Sequence, residues 1–278
     1  MRAQRILRVV SGVVGIVVTF GLFVVPFIFI ALTAVKSRAE AGLLEFSLPR
    51  EGYFFMENLT QVIEAREFML VRAFWNSTVL TAASVALMVI AGAMIAFVLQ
   101  RRKSKWTGLI NALVLAGLII PPAVVPTIWV MQGLGLFKTL HGLIFIEVAF
   151  GIAFCILLFR AFIATIPREL DEAAVIDGAG PIRLFFQVIF PLLRSVIFTV
   201  VILQSIFVFN DFQNPLYFLP GDQNATVQLT LFNFQSQFLT AFNLLFMNIL
   251  IITIPMLVLF LFFNKRIVEG MTAGAVNG

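Results

Sequence analysis

No charged side chain occurs between Arg8 and Lys36, and a chain that must house such a run has few ways to fold. About 18 or more consecutive apolar residues match the hydrocarbon thickness of a bilayer when helical. In lipid every backbone polar group must be bonded within the protein, which leaves helices or closed barrels. After the first run (9–35), further apolar runs follow at 73–99, 107–131, 142–162, 195–216 and 241–263. With 61% hydrophobic and 12% charged residues, the chain lies far from the composition of soluble domains. The expectation is one all-α polytopic domain over 1–278 with six transmembrane helices. The first run is too long for the ~7–15-residue core of a signal peptide, so it reads as a retained helix. The fifth is the least regular: its purely apolar part stops at Phe209, so Asn210, Asp211, Gln213 and Asn214 fall within it or just past its end.

Lys and Arg set the orientation, because they concentrate at cytoplasmic ends. With the amino terminus inside, Arg2, Arg5 and Arg8, the cluster Arg101, Arg102, Lys103 and Lys105, then Arg160, Arg168, Arg183 and Arg194, and finally Lys265 and Arg266 share one side. Only Lys36, Arg38, Arg50, Arg66, Arg72 and Lys138 fall on the other. Both termini are therefore expected in the cytoplasm. The soluble segments of note are an external loop, 36–72, and a cytoplasmic loop, 163–194. In the external loop Leu59, Val62, Ile63, Phe68 and Met69 recur at helical spacing with Glu57, Glu64 and Glu67 opposite. That pattern predicts a short amphipathic helix, resting on the membrane or docking an external partner. Pro121, Pro122 and Pro126 interrupt the third span and predict a disturbed helix there.

Several chemistries are excluded. No Lys is preceded by Gly, so there is no P-loop. One histidine, His141, and one cysteine, Cys155, supply neither a soft-metal site nor a nucleophile–base pair, and Cys155 has no partner for a disulfide. The +5 net charge comes without a basic face carrying interleaved aromatics, which argues against nucleic acid. Uphill movement of a solute would need an ion gradient or another subunit's ATP. Ionisable residues within spans mark function, and the candidates are Glu147 and Asp211. Glu147 falls shortly after His141, where external water would solvate it. Asp211 keeps company with Gln204, Asn210 and Asn214, and Gln204, Phe207 and Asp211 share a face at i, i+3 and i+7. Amides beside aromatics suit a neutral polyhydroxyl ligand; they equally suit bonding between helices.

The cytoplasmic loop is charged and punctuated by glycine. Arg168 to Asp177 reads as a short helix after Pro167, Asp177-Gly178-Ala179-Gly180-Pro181 breaks it, and a second helix runs from Ile182 to Ile189 before Pro191. Ala173 and Ala174 offer a surface of little bulk for a partner, although a hairpin tying two spans would read the same way. Glu172-Ala173-Ala174, then Gly178, then Val188 and Phe190-Pro191 resemble the EAA loop of ABC importer permeases. The chain departs from the family's usual residues at Val188, Phe190 and Arg194. Phe74-Trp75-Asn76-Ser77, the stretch from Phe209 to Leu216 and the tail from Glu269 to Gly278 are similar to the MalG-type sugar permeases.

The resemblance implies a non-catalytic subunit of a bacterial or archaeal cytoplasmic (inner) membrane importer of sugars, with oligosaccharides expected. Its partners would be a homologous second permease, two ABC ATPase subunits and an extracytoplasmic solute-binding protein. The chain itself would hold no cofactor, ATP and Mg being bound by the ATPases. Glu172, Ala173, Ala174, Asp177, Gly178 and Pro191 would couple to the ATPase, and Gln204, Asn210, Asp211 and Asn214 would line the substrate pathway. Another small solute, such as a polyol or glycerol phosphate, and a stand-alone ion-coupled carrier are the alternatives.

Overall fold

A computed structural model describes residues 2–102, 104–231, 241–255 and 257–258, with the backbone alone described for 2–9. The tail that resembles MalG-type permeases and the end of the sixth apolar run lie outside the described residues. Every regular element among the described residues is helical: α1 (Arg2–Ala34), α2 (Arg38–Gly42), α3 (Phe55–Arg101), α4 (Thr107–Ile119), α5 (Val124–Gly133), α6 (Leu140–Ala164), α7 (Glu169–Ile176), α8 (Pro181–Leu192), α9 (Arg194–Asn210), α10 (Gln213–Phe218) and α11 (Phe242–Pro255). α1, α3 and α6 are long and apolar enough to cross a bilayer on their own. Two helix pairs reach that length and apolarity only together and are sharply bent, α4 with α5 by 115° and α8 with α9 by 77°, so each pair is either a broken span or a re-entrant segment.

The third apolar run is thus two helices rather than one, and its prolines explain why. A residue before proline is pushed out of the helical region, and Ile120 sits at φ −80°, ψ 120°. Pro121 and Pro122 then have no N–H to continue the ladder, whereas Pro126 falls in the first turn of α5, where that loss costs nothing. Pro191 acts similarly at the other bend. Before it the helix widens into a π-helical stretch, Leu184–Ile189, in which Phe190 N–H donates to Phe185 O. Such widening is one of the few ways a helix meets a proline without a clash.

The described residues form two compact units, one from 2–71 with 230–231 and 241–255, the other centred on 72–229. In the first, the loop that follows α1 folds back onto its end. Lys36, only 1% exposed, donates from Nζ to Glu45 O (2.8 Å) and Ser47 Oγ (3.0 Å), so its buried charge is solvated by the loop. Asn58 Nδ2 donates to Ala34 O (2.8 Å) and Lys36 O (3.0 Å), while its Oδ1 accepts from Asn243 Nδ2 (2.8 Å). The amphipathic segment expected near 57–69 is the start of α3: Val62 and Met69 are buried and Glu57, Glu64 and Glu67 exposed. Phe68 departs from the pattern and is exposed, because Arg66, Glu67 and Phe68 all have positive φ and interrupt the helix.

In the second unit α6 is the central post. Thr139 caps it, its Oγ1 accepting from Gly142 N–H at 3.0 Å. α4, α9 and α10 pack on α6, and its buried side chains Cys155, Ile156, Phe159 and Ile163 share a cluster with Met88, Ala93 and Ala96 of α3 and Val196 and Val200 of α9. The chain turns tightly before α6: a Cβ on Gly142 would collide with Leu136 O, so only glycine fits. The Phe-Trp-Asn-Ser stretch in α3 is an anchor. Asn76 Nδ2 donates to Ala225 O (3.1 Å), and Ser77 Oγ accepts from Val227 N–H (2.9 Å).

Candidate functional site

α7 begins with Glu169, Asp171 and Glu172 in its first turn, where acidic side chains meet the positive end of the helix dipole. It ends in a Schellman motif. Gly178 N–H donates to Val175 O (3.0 Å) and Ala179 N–H to Ala174 O (2.9 Å), with Gly178 at φ +82°. A left-handed residue is required there and glycine supplies it without strain. Glu172, Ala173, Asp177 and Gly178 are exposed, and with Ile176 and Ile182 (85% and 74% exposed) they form an apolar surface edged by acidic groups. Ala174 differs from the expectation: it is buried in the cluster that holds Leu184, Phe185 and Ile189. Its small side chain serves close packing of α7 on the π-helical stretch. Pro191 is exposed and shapes the bend into α9.

One contact was not legible beforehand. Arg101, at the end of α3, sets Nε 2.7 Å from Asp171 Oδ2, with side-chain exposures of 12% and 16%. Arg101 Nη2 also donates to Ile166 O at 2.9 Å. The pair is close but lacks the alignment of a hydrogen bond, since neither Arg101 Nε nor Asp171 Oδ1 has a bonded partner. It fixes α7 to a long membrane-crossing helix. Nearby, Arg160 of α6 donates to Gln100 Oε1 (3.1 Å) and Asn111 Oδ1 (2.7 Å), joining α3, α4 and α6. Residues so far apart in sequence leave no local signal of such pairs.

The four pathway candidates do not converge on one point. Gln204 is buried in the wall of a groove of ≈ 340 Å³ that includes Phe150, Phe154 and Phe207, an amide among aromatic rings as expected. Asn210 Nδ2 donates to Ile206 O (2.8 Å), and its Oδ1 accepts from Gln228 Nε2 (3.1 Å). Asp211 leaves the shared face, because α9 ends at Asn210 and Asp211 is extended at φ −69°, ψ 123°. Its Oδ1 accepts from the N–H groups of Gln213 (2.8 Å) and Asn214 (3.3 Å), capping α10. The run 195–216 is therefore two helices, and the D-x-x-N spacing is the signal that anticipates the cap. Asn214 Nδ2 donates to Glu147 Oε1 at 3.2 Å. Glu147 is 2% exposed, not solvated as its sequence position suggests, and it lies close enough to Asp211 to interact electrostatically.

A family of known transport proteins, the binding-protein-dependent transport system inner membrane components, matches residues 88–272. The chain belongs to this family. The match takes in α7, the bend at Pro191 and the whole polar stretch of α9 and α10. The melibiose/raffinose/stachyose import permease protein MelC of Bacillus subtilis (strain 168) is 31% identical over the full length of both chains. The probable starch degradation products transport system permease protein AmyC of Thermoanaerobacterium thermosulfurigenes is 28% identical, again over all of both. Among solved structures, a bacterial ABC transporter involved in the import of the acidic polysaccharide alginate superposes with a TM-score of 0.80 at 21% identity, over 95% of this chain and 98% of that one.

Proposed function

We propose that this chain is a membrane permease subunit of an ATP-driven, binding-protein-dependent importer of sugars, with oligosaccharides the preferred class. It crosses a bacterial or archaeal cytoplasmic membrane six times with both termini inside. A homologous second permease, two ABC ATPases and an extracytoplasmic binding protein complete the importer. The ATPases hold ATP and Mg, and this chain performs no chemistry of its own. The observation that carries the reading is the short helix α7, exposed along one face, closed by Gly178 and ion-paired to α3. It has the form of a lever that a soluble partner can push. Glu172, Ala173, Asp177 and Gly178 form the contact surface, while Ala174 and Pro191 set its angle to α8 and α9. Closure of the ATPase pair on ATP would move α7, and the Arg101–Asp171 pair and the bend at Pro191 would pass that movement into the spans.

Gln204 with Phe150, Phe154 and Phe207 is the best-supported sugar-facing group, amide donors and acceptors lying beside apolar rings. Asn210, Asp211 and Asn214 shape the end of the same path. Among the described residues the groove around Gln204 has no cation in its lining, which favours a neutral sugar over glycerol phosphate. A second reading, ion-coupled transport, draws on buried Glu147 beside Asp211. One experiment separates the two. The tagged chain is purified in mild detergent, its companions are identified and ATPase activity is measured. Recovery of a second permease and an ATPase, with activity raised by sugar-loaded binding protein, is the expected result. A chain that purifies alone and transports in proteoliposomes under an ion gradient would overturn the proposal.

A further inference from the structure

The junction of α3 and α4 carries a groove of ≈ 690 Å³ whose described lining shares no residue with the coupling surface or sugar path proposed above. Its volume lies within the ~300–1,000 Å³ typical of small-molecule sites. One wall is apolar, made by Val98, Leu99 and Ile110; the rim is polar, made by Arg102, Ser104 and Thr107, with Trp106 beside it. Trp106 is 58% exposed, and Lys105 Nζ stands 5.6 Å from the centre of its ring. Ser104 Oγ accepts from Trp106 N–H at 3.3 Å, which leaves its hydroxyl proton free to donate.

The charge on this rim is uncompensated. Arg101 is committed to Asp171, but the next residue, Arg102, opens onto the groove. Among the described residues no carboxylate pairs with Arg102 or Lys105. The sequence has no acidic residue at all between Glu67 and Glu147. Arg102, the Ser104 hydroxyl and Trp106 therefore line the groove beside its apolar wall at the end of a long apolar helix, and Lys105 stands next to it over the Trp106 ring. α4, which forms the other side, buries none of its residues in this chain.

We infer that this groove is a binding site for an anionic phospholipid, with the phosphodiester held by Arg102, Lys105 and the Ser104 hydroxyl and an acyl chain laid along Val98, Leu99 and Ile110. A guanidinium matches two phosphate oxygens at once, and indole prefers the depth of the headgroups. A free phosphate would satisfy the rim and leave the apolar wall uncovered, so the lipid is the occupant that uses both. The inference rests on the reading of α3 and α4 as spans that meet at the membrane surface. Juxtamembrane cations strengthen anionic-lipid binding by about fivefold each, so losing both should weaken it roughly 25-fold.

Trp106 is a built-in probe. The full chain carrying Trp75→Phe and Trp129→Phe, both at exposed positions, is reconstituted in phosphatidylcholine vesicles containing equal mole fractions of brominated phosphatidylglycerol or brominated phosphatidylcholine. Quenching of Trp106 should be markedly stronger with the anionic lipid. The preference should vanish in Arg102→Gln/Lys105→Gln and persist in Arg102→Lys, which keeps the charge and controls for misfolding. Equal quenching by the two lipids, or an undiminished preference in the double glutamine variant, overturns the inference. So does a preference lost when the partner subunits assemble, since the occupant would then be protein. An assembled, sugar-importing complex without lipid preference sinks this site alone; a lipid preference in a chain that recovers no ATPase leaves it standing while the functional proposal falls.

Discussion

Neutralising Asp171 should destabilise the junction between α7 and α3 by an amount that depends on Arg101. At 2.7 Å, two unit charges attract by about 6 kcal/mol at an effective dielectric of about 20. Desolvation of both groups takes back most of that, because buried ions each lose several kcal/mol of hydration. The side chains retain 12% and 16% exposure and the contact is not a well-aligned hydrogen bond, so the net coupling should be about 2 kcal/mol. Asp171→Asn alone should cost roughly 2–4 kcal/mol, less than the fully buried limit, since Arg101 keeps its bond to Ile166 O. Arg101→Gln should cost a similar amount. The double variant should cost well under their sum. The assay is a double-mutant cycle on the purified chain, read by reversible denaturation in detergent. Single-variant costs that add within ~0.5 kcal/mol would mean the pair contributes nothing specific and would refute the picture of α7 locked to α3.

Gly178→Val should leave insertion intact yet lower sugar uptake per ATP hydrolysed. A non-glycine residue in the left-handed region costs ~1–2 kcal/mol, and nothing lies within 4 Å to clash, so the damage is confined to the loop; normal coupled uptake would count against the coupling role. Asp211→Asn preserves an oxygen for the Gln213 and Asn214 amides and should be tolerated, whereas Asp211→Ala should lose about 1 kcal/mol of cap, measurable as a lower melting temperature. Glu147→Gln keeps an acceptor for Asn214 and removes the titratable carboxyl beside Asp211, so uptake should persist; abolished uptake in a stable protein would favour ion coupling instead. Gly142→Ala must move the Leu136 carbonyl and should cost roughly 2–3 kcal/mol, seen as reduced stability rather than altered coupling.

The sequence alone determined that this chain is helical and membrane-spanning, because an uncharged run as long as 9–35 suits a spanning helix and far exceeds the ~9–11 residues of a barrel strand. It also placed α7, its stop at Gly178 and the second helix beyond, since acidic residues, glycine and proline act within a few residues of themselves. The likeness to importer permeases was readable for the same reason, being written in one continuous loop. Tertiary structure decided the rest. Arg101 met Asp171, Asn214 met Glu147, and Arg160 met Gln100 and Asn111 across sequence separations of 49 to 70 residues, where local pattern carries no information. Ala174 turned inward for the same reason: which face of a short helix is buried depends on the helix that packs against it. Asp211 left its expected face because the end of α9 was set by competition between continuing the helix and capping the next one. That balance is struck by neighbours in space, and a linear pattern does not record them.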